Sequence, residues 1–250
     1  MKHLLLIIVL LLTVCFNSKA QQLSLMFNAG TLTEFSEYKD VNTYNGNNVR
    51  GLAGNSCGLS LKNMINDILG IRLGTNFQKL YTGIKFPYQG NYSVHGQLSS
   101  FERIQIPFEL IWLKSSKKGK FTVEIGLGIS AGFILNKSRF EKDWSSTDAI
   151  IFDLADSYGL AYDQKIESNR EISTLILGKI LIQYNLNSKW GISISGNIGK
   201  GLWDYSTREI RYAYSSQNMH YAKESFNGDF LSFSVGISYT INKKQNNSMD

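Results

Sequence analysis

The sequence predicts an all-β protein: an eight-stranded antiparallel transmembrane β-barrel, an up-and-down meander with a filled polar lumen. Three observations carry this. The first is alternation, clearest from Ser99 to Leu135. Ile104, Ile106, Phe108, Leu110 and Trp112 share one face, and Arg103, Gln105, Pro107 and Glu109 the other. After the link SSKKGK, Phe121, Val123, Ile125, Leu127, Ile129, Ala131 and Phe133 stand opposite Thr122, Glu124, Gly126, Gly128, Ser130 and Gly132. Successive side chains on a strand point to opposite faces, so period two means β-strand. The second is length: these strands run well past the usual five or six or so residues, with one face apolar throughout and the other small or charged. That pattern suits lipid outside and a polar lumen inside. The third is that connections alternate long and short along the chain, as outer loops and periplasmic turns do in outer-membrane barrels.

The chain opens with Lys2 and His3, an apolar run from Leu4 to Val14, and the small residues Ser18 and Ala20 flanking Lys19. This layout predicts a cleaved export signal over 1–20 and a mature chain from Gln21. A lipoprotein signal centred on Cys15 would want Gly, Ala or Ser before the cysteine, and Val14 stands there. Loss of the signal leaves Cys57 without an intramolecular partner, so an exported chain is expected with no disulfide framework. No later run approaches the ~20 apolar residues of a membrane helix.

The strands follow in order. Gln22 to Gly30 places Leu23, Leu25, Phe27 and Ala29 outward, and the polar stretch 31–50 is expected to be a loop. Gly51 to Lys62 turns Cys57, Leu59 and Leu61 out and Gly58, Ser60 and Lys62 in. A turn at Asn63 to Asp67 leads to the third strand, Ile68 to Gly83, with Leu69, Ile71, Leu73, Phe77 and Tyr81 outward. A loop over 84–98 precedes the hairpin described above. The acidic stretch 136–171 is the longest expected loop, with Ala149 to Leu154 as a short element within it. Ile172 to Tyr184 is the sixth strand, with Ile176, Ile180 and Ile182 facing out. Trp190 to Trp203 is the seventh, with Ile192, Ile194 and Ile198 outward. A tyrosine-rich loop over 204–228 leads to the eighth strand, Asp229 to Ile241, with Leu231, Phe233, Val235 and Ile237 outward. The barrel thus occupies 21–241, and 242–250 is a polar periplasmic tail. Both termini are expected on the periplasmic side. A soluble barrel would need polar residues outward, and here the polar face is too rich in Gly and Ser to coat one.

The formal net charge is +6, spread along the chain without the basic stripe that nucleic acid requires. Outer-membrane lipid is the expected environment, with a protein partner possible through the outer loops or periplasmic turns. No cofactor or metal is expected: Asp148, Asp153 and Asp156 lack the alternating oxygen positions and glycine turn of a calcium loop. A lipid-modifying enzyme would need a pair such as Ser93 or Ser216 with His95 or His220, and the spacing does not require one. Tyr205, Tyr212, Tyr214 and Tyr221 could anchor a partner or simply extend strand ends.

An eight-stranded barrel has room inside for side chains only, and Lys62, Arg72, Arg103, Glu109, Glu124 and Lys179 point inward to fill it. Pairing the central hairpin so that same-face residues meet sets Glu109 opposite Glu124. Two carboxylates there need cations beside them. The expected lumen network is therefore Arg72, Glu109, Glu124 and Lys179, each at a similar distance from its turn.

The run Phe101-Glu102-Arg103-Ile104-Gln105-Ile106-Pro107-Phe108-Glu109-Leu110 resembles the fourth strand of the PorT-like outer-membrane β-barrel family of Bacteroidota, and Glu124 to Gly132 is similar to the glycine-rich strand that follows it. The resemblance spans the mature chain in strand order. It implies an eight-stranded outer-membrane barrel, some relatives of which act in protein secretion, and it offers no catalytic motif. The polar tail after Tyr239-Thr240-Ile241 departs from relatives that end on the last strand. The functional expectation is a non-enzymatic outer-membrane barrel with a structural or interaction role through four extracellular loops, and not a diffusion pore. The alternatives are a component of envelope secretion or assembly machinery, and a lipid-modifying enzyme.

Overall fold

The computed structural model describes residues 22–40, 48–82, 85–88, 92–95, 99–117, 119–135, 142–152, 157–168, 170, 172–214 and 220–243. The expected signal, 1–20, lies outside them. Every described element is a strand: β1 (Gln22–Asp40), β2 (Asn48–Met64), β3 (Leu69–Thr82), β4 (Lys85–Tyr88), β5 (Tyr92–His95), β6 (Ser99–Ser115), β7 (Phe121–Ile134), β8 (Lys142–Phe152), β9 (Ser157–Ser168), β10 (Ile172–Asn185), β11 (Trp190–Gly201), β12 (Ser206–Tyr214) and β13 (His220–Lys243). β1, β2, β3, β6, β7, β10, β11 and β13 pair in that order, and β13 pairs back to β1. All of these pairings are antiparallel. The result is a closed eight-stranded barrel, as the alternation predicts.

Outward side chains form a continuous apolar band. Leu127, Val235, Ile198, Phe233, Leu110 and Ile194 are all exposed, an arrangement costly in water and favourable against lipid. Aromatic pairs edge the band near the tight turns: the rings of Phe121 and Tyr184 lie 5.0 Å apart and those of Trp190 and Tyr239 4.8 Å.

The three tight turns share one end of the barrel, and local side chains set each. Asn66 Oδ1 accepts from the amides of Ile68 (2.9 Å) and Leu69 (2.7 Å). Asn187 Oδ1 repeats this with Lys189 (2.9 Å) and Trp190 (2.8 Å). Such side-chain turns are what Asn does best. Between β6 and β7, the Gly119 amide donates to the Ser116 carbonyl (2.8 Å) and Ser116 in turn donates to that of Phe121 (2.8 Å), with Gly119 at φ 65°.

At the other end the structure corrects the expected loops. Much of 31–50, 84–98, 136–171 and 204–228 is strand. β12 pairs with the upper part of β13 (Ser206 opposite Phe226), β9 with β12 and β8 with β9. β9 pairs with β12 and β10 with β11, both antiparallel, so β9 and β10 follow consecutive partners in the same direction. β11 is followed by β12 after a break at 202–205, and β4 and β5 pair antiparallel as a separate two-stranded sheet. Past the apolar band the outer strand face meets water and no longer has to be apolar, while inward side chains such as Arg208, Ile210, Ala222 and Glu224 stay buried. Alternation fades there while backbone pairing continues, because unpaired N–H and C=O groups remain costly. Ala149 to Leu154 accordingly lies largely within β8 and not in an isolated element on a loop.

Candidate functional site

The interior is the place where chemistry could reside, and inward residues stack there in tiers. Nearest the turns, Lys62, Arg72 and Glu109 form a row across β2, β3 and β6: Lys62 stands opposite Arg72, and Arg72 opposite Glu109. Arg72 Nη1 donates to Glu109 Oε2 at 2.9 Å. Its Nη2 donates to Glu124, and the Lys62 ammonium donates to the other Glu124 oxygen. All four side chains are almost fully buried. Glu124 thus carries two cations, which resolves the like-charge opposition of Lys62 and Arg72 across adjacent strands.

Of the predicted network, Arg72, Glu109 and Glu124 meet. Lys179 is buried on the same lumen side, but no carboxylate among the described residues lies within 4.0 Å of its ammonium. Lys62 takes the place expected for it. The predicted juxtaposition of Glu109 and Glu124 is corrected: Glu109 faces Gly128, and Glu124 faces Leu113. Gly119 in the left-handed region places the turn at Ser116 to Lys120, further along than equal phasing of the two charged faces would set it.

Above a small polar cavity, a second tier closes the lumen. Arg103 Nε donates to Gln78 Oε1 (2.9 Å), Gln78 Nε2 to Gln105 Oε1 (2.8 Å), and the Arg103 guanidinium pairs with Glu34 at 2.9 Å. The Tyr205 hydroxyl donates to Glu34 Oε1 at 2.6 Å, and the Arg103 guanidinium lies 5.8 Å from the Tyr205 ring centre. Leu32, Leu80, Leu175, Leu177, Phe226 and Phe230 pack around it as a buried apolar cluster. The upper interior is therefore apolar as well as polar, which corrects a purely polar lumen. Higher still, Ser36 donates to Glu224, which pairs with Arg208 at 3.5 Å.

Tyr205 reaches the interior where β11 gives way to β12 at 202–205 and where β13 shifts register against β1 near Gly228. Gly228 has φ 90°, and a Cβ on it would come within 2.9 Å of Leu175 and 3.7 Å of Tyr205. The outer surface at this level carries charged residues beside the exposed Leu202 and Trp203. Lys200 pairs with Asp229, and Arg170 lies 4.6 Å over the Trp203 ring. Tyr205, inside and above the band, has its pKa raised well above the ordinary tyrosine value, by burial first and by the Glu34 carboxylate next. It therefore acts as a donor at every physiological pH.

Glu34, Tyr205, Arg208 and Glu224 escaped sequence reasoning because they fall in stretches that look like loops. The period-two spacing of Ser36 with Glu34, and of Phe226 with Glu224, was the available signal. Tyr205 is corrected from a surface aromatic to a fully buried one, whereas Tyr221 is exposed. The side chains of Tyr212, Tyr214, Ser93, His95, Ser216, His220, Asp148, Asp153 and Asp156 lie outside the described residues.

A closed eight-stranded antiparallel barrel, apolar outside and packed with ion pairs inside, is the fold of the small outer-membrane barrels. Among solved structures the chain is similar to the outer-membrane protein OprG of Pseudomonas aeruginosa, at 11% identity and TM-score 0.50 over 88% of this chain and 97% of that one. It is also similar to Neisserial surface protein A (9% identity, TM-score 0.40, 86% of this chain and 96% of that). A third is the attachment invasion locus protein Ail of Yersinia pestis (12%, TM-score 0.37, 88% and 99%). The likeness to OprG establishes the fold. The chain matches no protein-family model and no curated protein.

Proposed function

We propose that this chain is an outer-membrane protein with a structural or binding role, exerted through the hairpins that rise beyond its apolar band, and that it is not a diffusion pore. The observation that carries the reading is the interior: two tiers of buried charges, most of them paired, and a buried apolar cluster occupy the lumen among the described residues, which supports a closed pore. The tight turns and both strand termini, Gln22 and Lys243, share one end of the barrel, which supports a periplasmic location for that end.

The raised hairpins offer a specific means of binding. Among the described residues β8 is paired on one side only, by β9, so its other edge presents free N–H and C=O groups to an extended segment of a partner. The resemblance of Phe101 to Leu110 to PorT-like barrels favours a second reading, a component of envelope secretion or assembly machinery. Affinity capture from detergent-solubilised outer membrane separates the two. Stable co-purification of secretion components supports the second reading, and a chain recovered alone supports the first. Recovery of the chain in the soluble or inner-membrane fraction overturns both.

A further inference from the structure

Between the two charged tiers lies a polar cavity of about 30 Å³, with Asn28, Asn76, Gln78, Gln105, Glu109 and Lys179 in its wall. We propose that it binds a compact monovalent inorganic anion, a halide such as chloride, held by the Lys179 ammonium and the Gln105 side-chain amide.

Charge balance is the first support. The lower tier holds three cations, Lys62, Arg72 and Lys179, against two carboxylates, Glu109 and Glu124, and all five side chains are buried. Glu124 is bound by both Lys62 and Arg72, and Glu109 by Arg72. Lys179, 8% exposed, makes no ion pair within 4.0 Å among the described residues, so the tier carries one cation in excess there. Glu34 and Arg103 above pair with each other and contribute no net charge. A buried charge without a counter-charge is costly, and an anion beside Lys179 removes the excess.

Donor geometry is the second support. Gln105 Nε2 is a fully buried donor with no hydrogen-bond partner, while Gln105 Oε1 is held by Gln78, which fixes the amide with its NH₂ directed away from that bond. Buried donors of this kind normally find an acceptor. Glu109, the one carboxylate in the wall, has its charge compensated by Arg72. A cation would add to the positive excess, so the site selects for an anion. The volume admits a single ion or a water or two, which excludes organic acids.

The test compares urea unfolding of the refolded, full mature protein in sodium chloride, sodium bromide and sodium gluconate at equal ionic strength. Halide should stabilise saturably over gluconate. The unfolding equilibrium constant should fall about tenfold at a halide concentration roughly nine times the dissociation constant. Lys179→Met should remove the difference between the salts. Crystals of the unaltered protein soaked in bromide should show an anomalous peak in the cavity, a readout that stands even if Lys179→Met fails to fold. Equal unfolding in halide and gluconate, a halide effect undiminished in Lys179→Met, or bromide-soaked crystals without a cavity peak would each overturn the proposal.

Discussion

Arg72 stands directly opposite Glu109 in the β3–β6 pairing, yet it also reaches past that partner to Glu124 on β7. One guanidinium fork thereby ties β3 to both strands of the next hairpin. Arg suits this because its donors are fixed in a plane and it stays charged when buried.

The two carboxylates are not equivalent, and their variants should differ. Glu124→Gln strands Lys62 and leaves Arg72 with Glu109 alone, and it should cost about 3–5 kcal/mol, the usual penalty for stranding a buried partner. Glu109→Gln leaves Arg72 on Glu124 and should cost clearly less. Urea unfolding followed by heat-modifiable gel mobility compares them. Equal, parent-like stability in both would show that the cluster does not hold the barrel together.

Tyr205 separates two contributions at the upper tier. Tyr205→Phe removes one hydrogen bond to Glu34, which keeps Arg103, and should cost about 1–2 kcal/mol. Tyr205→Ala also opens a cavity among Leu175, Phe226 and Phe230 and should cost on the order of 3–5 kcal/mol. The same unfolding assay distinguishes the steps, and indistinguishable variants would place Tyr205 outside the packed interior.

Two glycines in the left-handed region give a further contrast. Gly119→Ala meets open space and should cost about 1–2 kcal/mol from backbone strain alone. Gly228→Ala adds a Cβ 2.9 Å from buried Leu175, so it should be the more destabilising of the two. The reverse order of unfolding midpoints would contradict the packing around Gly228.

A filled interior predicts silence in planar bilayers, with no stable conductance of porin size from the purified protein. Reproducible large steps would mean that the charged tiers line water.

Orientation is open to chemical labelling. In a Cys57→Ser background, Lys137→Cys and Ser215→Cys should react with an impermeant maleimide on whole cells, and Ser116→Cys and Ser188→Cys should not. The opposite pattern would invert the topology.

Much of this was legible in the sequence because it is local. Facing follows from period two, so Leu127 and Ile180 outward and Lys62, Arg72 and Glu124 inward are written into the strand itself. The tight turns are local too, since Asn66 and Asn187 cap amides two and three residues away. Register and partnership across the lumen are not local. Glu109 met Gly128 and not Glu124 because a single left-handed glycine placed the turn, and Lys62 displaced Lys179 from the network because barrel closure decides which inward side chains share a level. Above the apolar band, lipid no longer enforces alternation, so β8, β9 and β12 resemble loops. The burial of Tyr205 against Glu34, 171 residues away in the chain, came only from barrel closure, which brings the end of β11 beside β1 and β13. Sequence determined which side of the wall each residue faces; tertiary structure decided what it meets there, because strand pattern acts over two residues while stagger and closure act over the whole chain.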